Sequence, residues 1–295
     1  MRESLNVVEI IGKIAELEVG TGLSKEKIPY IKLDMTVRIK ENYEIPVKFF
    51  AQRYNSKKEP SKLYDFLEDL AKNIKTIAKY GIEEADIISI DKGKLVANIY
   101  KHPKTNEIIK KIEVNASFCN ITNSIEGKDF KAEFMIEGVV DKVKTIFNKE
   151  NGEIECAKVA LIVSNYNGTV EILEFDCKDK LGIDFITTEY KNNPTVQING
   201  EIINKVDIKE IITPSGFGRN YVTTEKNYVR SFSILGGTPP LPELKQFNIE
   251  EIKQALKEMN IRHENILNKT SVSNNTFVEN NQYGSPSISD MDIPF

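Results

Sequence analysis

The stretch Tyr30-Ile31-Lys32-Leu33-Asp34-Met35-Thr36-Val37-Arg38-Ile39-Lys40 decides the fold. Ile31, Leu33, Met35, Val37 and Ile39 alternate with Lys32, Asp34, Thr36, Arg38 and Lys40. A period of two belongs to a strand with one buried face and one wet face, here partly basic. Toward the N-terminus, Leu5 to Gly20 sets Val8, Ile10 and Ile14 on one alternating face, with Gly12 among them. A glycine inside a strand marks a bulge or tight bend, which a small closed barrel needs. In the other direction, Tyr43 to Ala51 buries Ile45, Val47 and Phe49 and turns Lys48 and Phe50 outward. Ser61 to Tyr80 carries Leu63, Phe66, Leu67, Leu70, Ile74 and Ile77 at helical spacing and is expected to form one helix. Two more strands are expected near Lys94–Tyr100 and Ile108–Thr122.

Three strands, a helix and two strands is the order of an OB fold, a five-stranded barrel. The order recurs about 126 residues later, with Ile136, Gly138, Lys158, Val163 and Phe175 matched to Ile10, Gly12, Lys32, Val37 and Phe49. The second set of strands is expected at Phe134–Phe147, Cys156–Tyr166, Thr169–Cys177, Thr195–Thr213 and Tyr221–Leu235, with a helical stretch near Leu181–Tyr190. The expected architecture is mainly β: two tandem OB-fold barrels at residues 1–125 and 130–238. One large β-rich domain is the alternative. After Gly236-Gly237-Thr238-Pro239-Pro240, a helix is expected at residues 248–268, with Ile252, Leu256, Met259 and Ile266 apolar; its plainest role is to pack on the second barrel, and docking a partner is the alternative. Residues 269–295 are rich in Asn and Ser and aperiodic, so a disordered tail is expected.

Composition removes several function classes. The 295 residues are 40% hydrophobic, enough for packed cores, and contain no apolar run long enough to span a membrane. No signal region precedes the first strand pattern, so a cytoplasmic protein is expected. Cys119, Cys156 and Cys177 form no close pair, and His102 and His263 lie far apart, so no metal site is expected. There is no P-loop, GxSxG or HExxH, so neither an enzyme nor a cofactor is expected. The net charge of -4 argues against a histone-like binder but leaves room for a locally basic groove.

The sequence ends Asp290-Met291-Asp292-Ile293-Pro294-Phe295. This ending resembles the acidic tip of the bacterial and phage single-stranded DNA-binding protein family, whose members finish with aspartates before Ile-Pro-Phe. The resemblance implies an OB core joined by a disordered linker to a tip that docks replication and repair proteins. Phe295 would fill an apolar pocket while its carboxylate pairs with an Arg or Lys. Pro294 limits the freedom lost on docking, and Asp290 and Asp292 would attract basic surfaces. The family usually carries more aspartates than these two.

An OB groove grips single-stranded DNA by stacking bases on aromatics while Lys and Arg follow the phosphates. In the first domain Tyr30, Lys32, Arg38, Lys40, Lys48 and Phe50 share the non-core face, followed by Gln52, Arg53 and Tyr54. Ile45-Pro46-Val47-Lys48-Phe49-Phe50 resembles the family's third strand, where an aromatic ends an apolar run; this makes Phe50 the leading stacking candidate. Tyr100 and Lys101 offer a second platform before Pro103. In the second domain the candidates are Tyr166, Phe217, Arg219, Tyr221, Tyr228 and Arg230, several around the flexible tip Ser215-Gly216-Phe217-Gly218-Arg219-Asn220-Tyr221. Asp176 stands at the position matched to Phe50, so the two barrels are expected to bind unequally, or the second to serve assembly. Taken singly, each aromatic is more often a core residue than a platform, and each charge more often part of a solvated strand face. The expected function is sequence-tolerant coating of single-stranded DNA in replication, recombination and repair. Two barrels per chain imply, by the family's logic, a homodimer. Location would be nucleoid-associated, or the host cytoplasm for a phage-encoded chain. The alternative is an OB-fold replisome or phage assembly scaffold that uses the tip without coating DNA.

Overall fold

The computed structural model describes residues 1–55, 57–102, 105, 107–122, 129–149, 152–213, 217 and 221–272. The first barrel is built from β1 (Asn6–Leu23), β2 (Pro29–Lys40), β3 (Tyr43–Gln52), β4 (Ile87–Lys101) and β5 (Ile108–Asn115). β1 pairs with β2, β2 with β3, and β4 with β5 and β1, all antiparallel; a parallel contact of Val47 with Val114 closes the ring between β3 and β5. The second barrel repeats the circuit with β7 (Lys131–Phe147), β8 (Ile154–Ser164), β9 (Val170–Cys177), β10 (Thr195–Thr213) and β11 (Tyr221–Gly237). Its parallel closure joins Ser233 to Asp176. Both rings are OB folds.

The alternating residues line the cores as the sequence predicts. Leu33, Met35, Val37, Ile45, Val47 and Phe49 are buried in the first barrel, and Phe134, Ile136, Leu161, Leu173 and Phe175 in the second. Gly12 and Gly138 play the same part. A Cβ on Gly12 would sit 2.5 Å from the Arg38 carbonyl oxygen, and one on Gly138 would sit 2.7 Å from that of Ile162. The bulges lie just beyond, at Ala15 between Ile14 and Glu16 and at Asp141 between Val140 and Lys142. The glycines thus permit close strand approach; the adjacent bulges supply the coiling.

The register corrects the sequence matching. Lys13 pairs with Arg38 and Val139 with Ile162, so Arg38 corresponds to Ile162 and Asp34 to Lys158. Arg38 pairs with Glu44 and Ile162 with Ile172, which matches Lys48, not Phe50, to Asp176. The shift arises because the β8–β9 hairpin extends two rungs further than β2–β3 before it turns.

Three further expectations change. The helix expected over Ser61–Tyr80 breaks into α1 (Lys62–Asn73) and the single turn α2 (Ile77–Tyr80). Ile74 turns extended to bury its side chain, and the Asp86 carboxylate takes the Lys75 amide at 2.7 Å that a continuing helix would have used. The strand expected over Ile108–Thr122 ends at Asn115; Ala116 and Cys119 tuck inward, and β6 (Asn120–Thr122) pairs with the start of β4. β4 itself starts at Ile87 rather than Lys94, because Ile88 and Ile90 are core residues beside Gly12 and Ile10.

The barrels are fused into one sheet. Asn6–Ile11 of β1 pairs in antiparallel register with Lys131–Ile136 of β7, and Lys205 of β10 pairs with Tyr43 of β3. One buried apolar cluster runs through both barrels. Helix α3 (Lys180–Glu189), capped by Asp179, lies after β9 as α1 lies after β3. Helix α4 (Ile249–Val272) buries Ile252, Ala255 and Met259. Among the described residues no helix is long and apolar enough to cross a membrane. The residues of the expected tail beyond Val272 lie outside those described.

Candidate nucleic-acid interface

The outward side of β2 and β3 gathers most of the first-domain candidates. Lys32 lies opposite Phe50, Asp34 opposite Lys48 and Arg38 opposite Glu44. Tyr30 and Phe50 are diagonal neighbours with ring centroids 5.6 Å apart, tilted by 35°. Both rings are half-buried, so part of each remains available to a planar ligand. Arg53 lies just beyond β3 with its guanidinium 5.1 Å from the Tyr64 ring centroid. Hydrogen bonding to the Tyr64 hydroxyl, and less to Tyr54, holds Arg53 even more firmly charged. Tyr54 is exposed beside it.

The charges on this face are organised in pairs. Lys32 reaches Asp34 at 2.6 Å, Lys48 reaches Glu113 of β5 at 2.7 Å, and Arg38 meets Glu44 at 2.5 Å. Burial opposes ionisation of Glu113, but hydrogen bonds and charge from Lys48 and Lys111 outweigh it and hold the carboxyl below its ordinary range. A phosphate approaching Lys48 therefore competes with a committed carboxylate. Lys40 sits over the Tyr43 ring at 5.3 Å. Tyr100 and Lys101 are half-buried at the end of β4, opposite Ile109 and Ile108.

The second-domain candidates do not form a matching face. Tyr166 is exposed in the β8–β9 turn. Arg230 lies on β11 opposite Asn204, and its Nε donates to the Asn204 side-chain oxygen at 2.9 Å. Phe217 is 93% exposed near the tip of the β10–β11 arm. Tyr221 and Tyr228 pair with Thr213 and Val206 along that arm. Their side chains, Arg219 and Asp290 to Phe295 fall outside the described residues. On the barrel face itself Lys158 pairs with Asp176 at 3.2 Å, and the Ser231 hydroxyl donates to Asp176 at 2.9 Å.

Sequence reasoning missed the acidic partners and one bridging amide. Asp34 was visible, since alternation places it beside Lys32. Glu113 was not, because it arrives from a strand 65 residues away from Lys48. Asn204, whose amide donates to the Glu44 carbonyl while its oxygen accepts from Arg230, had no sequence signal.

These features define the class: a double OB-fold protein whose first barrel carries an open aromatic and charged face. The YorF family matches residues 4–271, and the chain belongs to it. No curated protein matches the sequence. Among solved structures, the wild-type single-stranded DNA binding protein from Thermus aquaticus is similar, with a TM-score of 0.50 and 12% identity over 84% of this chain and 98% of that one. A deletion mutant of the same protein gives a TM-score of 0.50 at 14% identity, covering 82% of this chain and 98% of that one. The likeness is one of fold, spanning both barrels.

Proposed function

We propose that the protein binds single-stranded DNA on the β2–β3 face of its first barrel, without strong sequence preference. The observation that carries this is the Tyr30–Phe50 ring pair, 5.6 Å apart on an OB barrel and flanked by Lys32, Lys48 and Arg53. Aromatic rings accept any base face, and nearby cations follow the phosphates. The fold shared with a single-stranded DNA binding protein supports the reading. Protection of exposed strands in replication, recombination and repair follows from such binding, and the Asp290–Phe295 motif is suited to recruiting partner proteins. A homodimer supplying four barrels is the assembly we propose.

Titration of fluorescent oligo-dT at low and high salt, with duplex competitor, tests the binding. About three phosphate contacts at roughly 0.7 per contact give a log–log salt slope of about −2. Phe50→Ala should weaken binding about 5- to 150-fold, since one base stack contributes about 1–3 kcal/mol. The paired state of Lys32, Lys48 and Arg38 favours a second reading, an OB scaffold that uses the tip without coating DNA. Absence of oligonucleotide binding at low salt would select it. Removal of residues 290–295 should abolish partner capture while leaving DNA binding intact.

A further inference from the structure

The second barrel has the same outward face as the first, and its own chain covers part of it. Val139, Ile162 and Ile172 stand at the ladder positions of Lys13, Arg38 and Glu44. Three charged positions have thus become apolar. Together with Val170 they pack under Phe247, Ile252, Ala255 and Met259. The helix is fastened at its base. The Met1 ammonium lies 3.3 Å from Glu251, and the Arg2 guanidinium lies 4.1 Å over the Phe247 ring. The Phe247 amide donates to the Thr195 hydroxyl at 2.9 Å, and the Thr195 amide donates to the Gln246 side chain at 2.7 Å. On the uncovered part, Lys158 opposite Asp176 stands where the first barrel has Asp34 opposite Lys48, and the ladder ends one rung further at Ala157 opposite Cys177 with no aromatic on its outward side.

The second barrel instead sends its β10–β11 arm to the first. Past the barrel wall the arm leans on the β2–β3 turn, where the Val206 amide donates to the Asn42 carbonyl at 2.8 Å. Arg38, Glu44, Asn204 and Arg230 then form one bonded row across β2, β3, β10 and β11. The row begins on the open face and ends on an exposed arginine.

We infer that the chain offers one composite single-strand track and not two: the β2–β3 face continued by the β10–β11 arm through Arg230, with the equivalent face of the second barrel partly covered by α4 and lacking the ring pair on the rest. This rests on the single-stranded DNA reading above. An oligo-dT of about 8 nucleotides lies within the span of one OB barrel, and one of about 20 would reach beyond it. Native mass spectrometry should count one short oligonucleotide per chain, and Phe50→Ala, checked for folding by circular dichroism, should weaken its binding by the same factor of about 5 to 150 that one base stack contributes. Arg230→Ala should weaken the longer oligonucleotide several-fold and leave the short one unaffected. Two short oligonucleotides per chain, or a full-strength site surviving in Phe50→Ala, would overturn the single track. Equal affinity of Arg230→Ala and wild type for both lengths would overturn the role of the arm. If the wild-type chain binds neither length, the DNA reading fails first and the track with it.

Discussion

At the scale of single residues, Gly12 and Gly138 impose the same steric constraint at matching places in the two barrels. Backbone carbonyl oxygens stand 2.5 and 2.7 Å from where their Cβ atoms would be, and backbone cannot rotate aside as a side chain can. Overpacking of this kind costs about 1–3 kcal/mol. Gly12→Ala and Gly138→Ala should each lower the stability measured by urea denaturation by about that amount, and a midpoint equal to wild type would refute the steric account. The glycines were visible in the sequence and correctly matched to each other, but as bulge markers. Their purpose is close approach, a property of the neighbouring strand that no local pattern encodes. The face residues divide similarly. Alternation along β2 gives Tyr30, Lys32 and Arg38 their common side. That Lys48 is held by Glu113 depends on which strand closes the ring.

At the scale of elements, α4 decides what the second barrel can present. Ile252 is 2% exposed and packs with Met259 against Val139, Ile162 and Val170. Truncation of a buried isoleucine costs about 2–5 kcal/mol, depending on how far the site collapses. Ile252→Ala should therefore lower the unfolding midpoint while leaving oligo-dT affinity of the first barrel unchanged; a parallel loss of affinity would tie α4 to the groove instead. The stripe Ile252, Leu256, Met259 was legible as a helix that packs on the second barrel. Its landing place was not, because periodicity tells which side of a helix is apolar and nothing of the surface it meets. Hairpin length failed for a related reason. The β2–β3 and β8–β9 strands alternate identically, and alternation preserves the face while leaving the register free by steps of two.

At the scale of the molecule, the barrels meet through a part-buried polar contact as well as the continuous sheet. The Glu171 carboxylate of β9 accepts from the Ala97 amide of β4 at 2.5 Å and from the Asn165 side chain at 2.7 Å. Burial nevertheless raises its carboxyl above the ordinary range, and those two hydrogen bonds offset this only in part. A raised acid binds its proton more readily folded than unfolded, so its contribution favours folding at low pH and is lost as pH rises through the raised value. Glu171→Gln removes that dependence. The unfolding free energy of the variant minus that of wild type should rise across this window and then level; a flat difference would show that the group titrates as it does in the unfolded chain. The tandem repeat was readable from strand order, but the pairing of β1 with β7 was not, since nothing local marks which strand edge stays open. That pairing has a kinetic side. While the first barrel forms, the Asn6–Ile11 edge of β1 waits for a partner whose residues follow only after Lys131. Contacts so distant in sequence form late, after a large loop closure, and a waiting edge is a template for any other chain. The same ladder that makes two barrels one body thus leaves the half-folded chain at its most adhesive until β7 arrives.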